Sequence, residues 1–80
     1  MIEHLEKSKK RYVIATFDNP TNYVVAKGNC NYSFIDNIVV ASKFVNQSDA
    51  YEVRNSLVKT YDIDLVVLPM RIDYILLEDE

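Results

Sequence analysis

Glycine is almost missing from this chain: Gly28 is the only one in 80 residues. A loop that cradles phosphate on successive backbone amides needs several glycines, so a Gly-rich nucleotide-binding motif is excluded. Histidine is as scarce. His4 stands alone in the least patterned segment, which excludes nucleophile–histidine pairs and multi-histidine metal sites. The single cysteine, Cys30, rules out an internal disulfide and fits a reducing compartment; no histidine or basic cluster lies beside it in sequence to make it a thiolate. No apolar run reaches the roughly 18 residues of a membrane helix, and no basic stretch leads into an apolar one, so neither a membrane span nor a signal peptide is expected.

What is present is a folding sequence. Hydrophobic residues make up 49% with only two prolines, which argues for a packed domain over a disordered one. Residues 1–80 read as a single domain. A chain this short buries only about 60% of the surface its unfolded form exposes, so dimerisation is a natural supplement to its stability.

Charge is uneven along the chain. Residues 1–11 hold Lys7, Lys9, Lys10 and Arg11 against Glu3 and Glu6. The last twenty hold Asp62, Asp64, Asp73, Glu78, Asp79 and Glu80 against Arg71, and the middle balances, which leaves a net −3. A basic stub and an acidic tail can pair with each other, or the acidic end can imitate nucleic-acid phosphates in a partner's basic groove.

Met1–Lys10 has few large apolar residues and reads as a frayed start or a short packed turn. Arg11–Phe17 is β-branched and aromatic and alternates as a strand. Asp18-Asn19-Pro20-Thr21-Asn22 is a turn, and Asn22–Lys27 resumes as a strand, which predicts an N-terminal β-hairpin. Gly28-Asn29-Cys30-Asn31 forms the second turn, through residues that tolerate positive φ. A third strand begins at Tyr32–Phe34. Residues 35–44 mix helical spacing (Ile38, Ala41, Phe44) with a β-branched run, and the expectation is a bend near Asp36 followed by a short strand over Val39–Phe44.

One segment is long enough to cover a sheet. Asn46 predicts a helix that starts at Gln47, with Asn46 accepting the amide of the third helical residue and Asp49 reaching back to the amide of Asn46. Ala50, Val53, Leu57 and Tyr61 then form one apolar stripe, widened by Tyr51 and Val58. Phe44 stands near the position of a hydrophobic staple. After a turn at Asp62-Ile63-Asp64, Leu65–Leu77 is extended. Leu68, Met70, Ile72, Tyr74 and Leu76 share one face, and Pro69 marks an edge position, a bulge or a break. The predicted fold is α+β, a small antiparallel sheet of three to four strands with one amphipathic helix packed across it, in the order β-β-(β)-α-β.

The order Tyr12-x-Ile14, Tyr23-Val24, Tyr32-Ser33-Phe34, Asp36, Ile38, Ala41-x-x-Phe44, Asn46, Asp49-Ala50 and Leu57, with its closing apolar strand, resembles small hypothetical proteins encoded by phages and prophages of low-GC Gram-positive bacteria. In those a hairpin precedes a stretch of the form F-x-D-x-I-x-x-A-x-x-F-x-N-x-x-D-A and a helix. The likeness covers about residues 12–70. It implies the setting of an accessory phage gene acting in the cytoplasm of a bacterial host cell, and carries over no catalytic residue.

No constellation of residues supports catalysis, so an enzyme is not expected, nor a cofactor. The Asp62/Asp64 and Asp18/Asp36 pairs are of a type that can hold a divalent ion, yet aspartates at turns more often bond backbone amides, and no metal is expected. The expected role is a non-enzymatic accessory protein that binds a host or defence-system protein and inhibits or redirects it, an anti-CRISPR-like mode being one instance. Two alternatives stand beside it: an oligomeric sponge for a small nucleotide signal, using Arg71, lysines and stacked tyrosines, and a DNA-binding regulator acting through Lys7–Arg11 and Tyr12. Nucleic acid is not the expected partner, because the chain is acidic overall. The partner-binding candidates are Tyr12, Tyr23 and Tyr32, placed on the sheet face opposite the helix, together with Arg71, Asp73, Tyr74, Glu78 and Asp79. Tyrosine is enriched at interfaces. A homodimer through the free edge of the C-terminal strand is also expected.

Overall fold

The structure is a computed structural model that describes residues 2–18, 21–28 and 31–78, with side chains from Lys7 to Leu77 within those segments. Its elements are β1 (Ile2–Ala15), β2 (Tyr23–Gly28), β3 (Asn31–Ile35), α1 (Gln47–Tyr61) and β4 (Val66–Glu78). They form one antiparallel four-stranded sheet in the order β3-β2-β1-β4, with α1 packed on it. The α+β class and the β-β-β-α-β order agree with the reading of the sequence.

The core lies where α1 crosses the sheet. Ile14, Val24, Leu57 and Leu65 are its buried centre, and Tyr32, Phe44, Val53, Val58, Ile63 and Val67 pack around them. Ile14, Val24 and Val67 stand on the helix face; Val13 and Ala15, on the back face, are buried too. α1 starts at Gln47 as the sequence predicts, but its cap differs. Asn46 makes no side-chain bond to a helical amide; its Nδ2 donates to Asp49 Oδ2 at 3.2 Å, so the two capping residues satisfy each other. At the other end Asp62 adopts a left-handed conformation (φ 53°) and donates its N–H to the Val58 carbonyl at 2.9 Å, which closes the last turn. Of the predicted stripe, Ala50 and Leu57 are buried and Val53 is half-buried, whereas Tyr51 and Tyr61 are exposed. Arg54 takes the flank instead, its Nε bonded to the Leu65 carbonyl at 2.8 Å.

The chief correction concerns the N-terminus. Residues 2–10 are not a frayed stub but the first two thirds of β1, paired with β4 from Ile2↔Glu78 to Ala15↔Val66 with one bulge between Leu5 and Lys7. Their low apolar content hid the strand, because the partner supplies the ladder and the apolar side chains. β2 pairs with β1 only at Ala15↔Tyr23, so beyond that point the sheet forks into a β2–β3 hairpin and a long two-stranded β1–β4 ribbon.

A wedge fills the fork. The expected strand over Val39–Phe44 is a turn at Ile38–Val40, closed by Val40 N–H to the Asn37 carbonyl (3.2 Å) and Val39 N–H to Asn37 Oδ1 (3.0 Å), followed by a single bridge at Phe44. Phe44 exchanges both backbone bonds with Tyr12 (2.8 and 2.9 Å). Ser42 serves the other prong: its N–H donates to Val24 O (3.1 Å) and its Oγ accepts from Ala26 N–H (2.8 Å). Ala41, 4% exposed, is small enough to bury beneath this join. The spaced residues Ala41-x-x-Phe44 are thus the stitch between the two halves of the sheet.

Candidate functional site

Directly opposed residues of antiparallel strands point to the same face, so the β1–β4 register sorts the ribbon's side chains. On the back face Lys7, Lys9 and Arg11 of β1 stand opposite Tyr74, Ile72 and Met70 of β4. Leu68 and Leu76 extend the β4 column at its two ends. The back face of the ribbon is therefore two parallel columns, one basic and one apolar. They touch: Lys9 Nζ lies 5.2 Å from the centroid of the Tyr74 ring, a cation–π contact.

The helix face of the ribbon is more polar at its middle. Lys10 opposes Arg71 and Ser8 opposes Asp73. Arg71 Nε is held by Asp73 Oδ1 at 2.9 Å, two residues along the same strand, and Lys10 Nζ lies 5.6 Å from the Tyr12 ring centroid. Beyond the charged pair, Ile75 and Leu77 are about half exposed, as are Tyr74 and Leu76 on the back. Exposed apolar residues thus occupy both faces of the ribbon's outer half.

The outer edge of β4 can be read from Tyr12. Both backbone bonds of Tyr12 go to Phe44, on the side away from β4, so Tyr12 and Pro69 are a non-hydrogen-bonded pair. Pro69 therefore turns its nitrogen to the open edge, and its missing N–H takes nothing from the β1–β4 ladder. This is how a central-looking strand tolerates proline. By alternation Val67, Arg71, Asp73, Ile75 and Leu77 also turn their N–H and C=O groups outward, where no strand of the described residues meets them.

The predicted site residues fall into separate places. Tyr12 and Tyr32 stand on the helix face, half-buried, with Tyr32 packed on the core; Tyr23, opposite Ala15, stands on the back face. The expected common tyrosine face is not formed, because odd and even registers send neighbouring tyrosines to opposite sides. Arg71 and Asp73 pair on the helix face at the middle of the ribbon, whereas Tyr74, next in sequence, stands on the back face against Lys9. Glu78 is the last residue of β4, and Asp79 lies outside the described residues.

Two features escaped the sequence reading. The basic cluster Lys7–Arg11 forms a column on a strand, which only the pairing with β4 reveals. At the opposite end of the molecule, Thr16, Phe17, Asp18, Asn22, Phe34, Ile63 and Asp64 line an open cleft of about 490 Å³. Phe17 is 74% exposed there, and its place at the last step before a turn was the available signal. The lining carries two carboxylates and no cation, a poor match for an anionic nucleotide. Among the described residues no three His, Cys, Asp or Glu side chains converge as metal ligands, and no helix is long and apolar enough to cross a membrane. No protein-family model, no curated protein and no solved structure matches the chain.

Proposed function

We propose that this chain is a non-catalytic binding protein, a phage-encoded accessory that docks on a host or defence-system protein in the bacterial cytoplasm and inhibits or redirects it. One observation carries the reading: the β1–β4 ribbon presents, on its back face, an apolar column flanked by Lys7, Lys9 and Arg11. A two-stranded ribbon is marginal by itself in water, and exposed apolar residues at this density mark contact surfaces. The chemistry fits a partner whose own surface sets acidic residues beside an apolar strip, with the charges steering approach and the apolar column holding the complex. Self-association through the open edge of β4 belongs to the same reading.

The test is affinity capture from nuclease-treated host lysate with the native chain and with a Lys7→Glu/Lys9→Glu variant. The expected result is one stoichiometric host protein that the native chain retains and the variant loses at least about tenfold, as for charges that steer and seat a partner. Equal retention by both chains overturns the use of this face. Recovery of a nucleotide with no protein turns the reading to the sponge, and a steep salt dependence of DNA retardation turns it to the regulator.

A further inference from the structure

The open edge of β4 is complementary to itself. Only the outward-turned residues, Val67, Pro69, Arg71, Asp73, Ile75 and Leu77, can bond a strand added there, so an antiparallel second copy of β4 must match them with one another. If the two-fold axis passes through Asp73, Asp73 faces the partner's Asp73; if it passes through Arg71, Arg71 faces the partner's Arg71. Like charges directly opposite each other disfavour both. An axis through Ile72 sets Arg71 against the partner's Asp73 and the partner's Arg71 against Asp73. The intrachain Arg71–Asp73 pair at 2.9 Å already holds these side chains on one face, so the dimer would close an alternating ring of four charges.

The same axis aligns the back-face column. Ile72 meets the partner's Ile72, Met70 meets the partner's Tyr74, and Leu68 meets the partner's Leu76. Leu68 and Leu76, 43% and 54% exposed, would shield each other across the axis. Pro69 would face the partner's Ile75 and lacks one bond there, so the strongest part of the ladder is the central charged pairs.

We propose that two copies of this chain pair β4 to β4 antiparallel about a two-fold axis at Ile72, and so fuse two four-stranded sheets into one of eight strands. The proposal rests on the self-association reading and adds its register. The contrast between the ribbon's two outer edges supports it. β1's edge carries Lys7, Lys9, Lys10 and Arg11, like charges of the kind that guard natural edges against pairing, whereas β4 has no lysine and neutralises Arg71 with Asp73, and Pro69 removes only one bond from the added ladder.

Sedimentation equilibrium of the native chain, of Arg71→Asp, of Asp73→Arg and of their equimolar mixture decides it, with circular dichroism showing that each chain is folded. The native chain is expected to be dimeric. Each single variant places four like charges around the axis and should dissociate at least about tenfold more readily. The mixture should recover a heterodimer, because each variant supplies the charges the other lacks. In a Cys30→Ser chain, Ile72→Cys should cross-link to its own copy on mild oxidation, since a non-hydrogen-bonded pair brings Cα atoms to about 4.5 Å, within disulfide reach. Tyr74→Cys alone should not. A native chain that stays monomeric at the highest attainable concentration overturns self-association and the register together. A dimer that the single variants leave intact, or that the mixture fails to restore, overturns the register alone.

Discussion

Ile14 and Ile75 lie in the same sheet, on adjacent strands and on the same face, yet Ile14 is fully buried and Ile75 is 48% exposed. Residue type and alternation do not distinguish them. What differs is the layer above: α1 covers the body of the sheet, and nothing among the described residues covers the outer ribbon. Full burial of such a side chain is worth roughly 1.5–3 kcal/mol, which the body gains and the ribbon leaves available to a partner. The body holds the fold together, and the ribbon is the part with surface to spare.

The contrast is broken most directly by truncating both isoleucines. Ile14→Ala should cost about 2–5 kcal/mol in urea unfolding. Ile75→Ala, made in the Arg71→Asp background so that the chain is monomeric, should cost under about 0.5 kcal/mol. Comparable losses would mean that the ribbon is covered in solution. Amide exchange sharpens the same point: in that background Val13 to Ala15 and Val24 should be far better protected than residues 71–77.

Smaller effects probe the join between the regions. Ser42→Ala removes the acceptor for the Ala26 N–H and should cost about 1 kcal/mol, with faster exchange along β2 and little change in β4. Asp62→Gly relieves a left-handed conformation at the end of α1 and should raise stability by about 0.5 kcal/mol while leaving ribbon exchange unchanged. Lys9→Gln, which loses the contact over Tyr74, should cost no more than about 0.5 kcal/mol and be visible in ribbon amides before it is visible in global unfolding.

How much of this was legible follows from the same division. The start of α1 was readable because Asn46 and the spacing from Ala50 to Leu57 are local signals. The turn that closes the β2–β3 hairpin was readable from Gly28, which takes a positive φ of 87°, whereas the expected hairpin of Arg11–Phe17 with Asn22–Lys27 pairs only at Ala15↔Tyr23, because β4 takes the rest of β1. Residues 2–10 were not: a strand poor in apolar residues is set by its distant partner, and local propensity gives no hint of it. The run Ile38-Val39-Val40 misled in the other direction, since three β-branched residues became a turn with Val39 78% exposed. Of the candidate residues, the Arg71–Asp73 pair is a local i, i+2 contact on one face of a strand, while the same alternation sends Tyr74 to the other face. The tyrosines were not separable by face until the register was known.

The pairing of Ile2 with Glu78 also sets the order in which the molecule can be completed. β1 leaves the ribosome before every other element and β4 after all of them, so the hairpin and α1 can gather around Ile14 while the lysine-bearing half of β1 still waits for its ladder. Ile2 and Glu78 are far apart in sequence, but once Ala15 and Val66 are joined each further pair closes only a short loop, so the long-range search is made at that first pair and the rest of the ladder follows from it. The register thus predicts that the ribbon zips outward from Ala15 and Val66 after the body has gathered, so that amides of residues 71–77 gain protection last in pulse-labelled refolding.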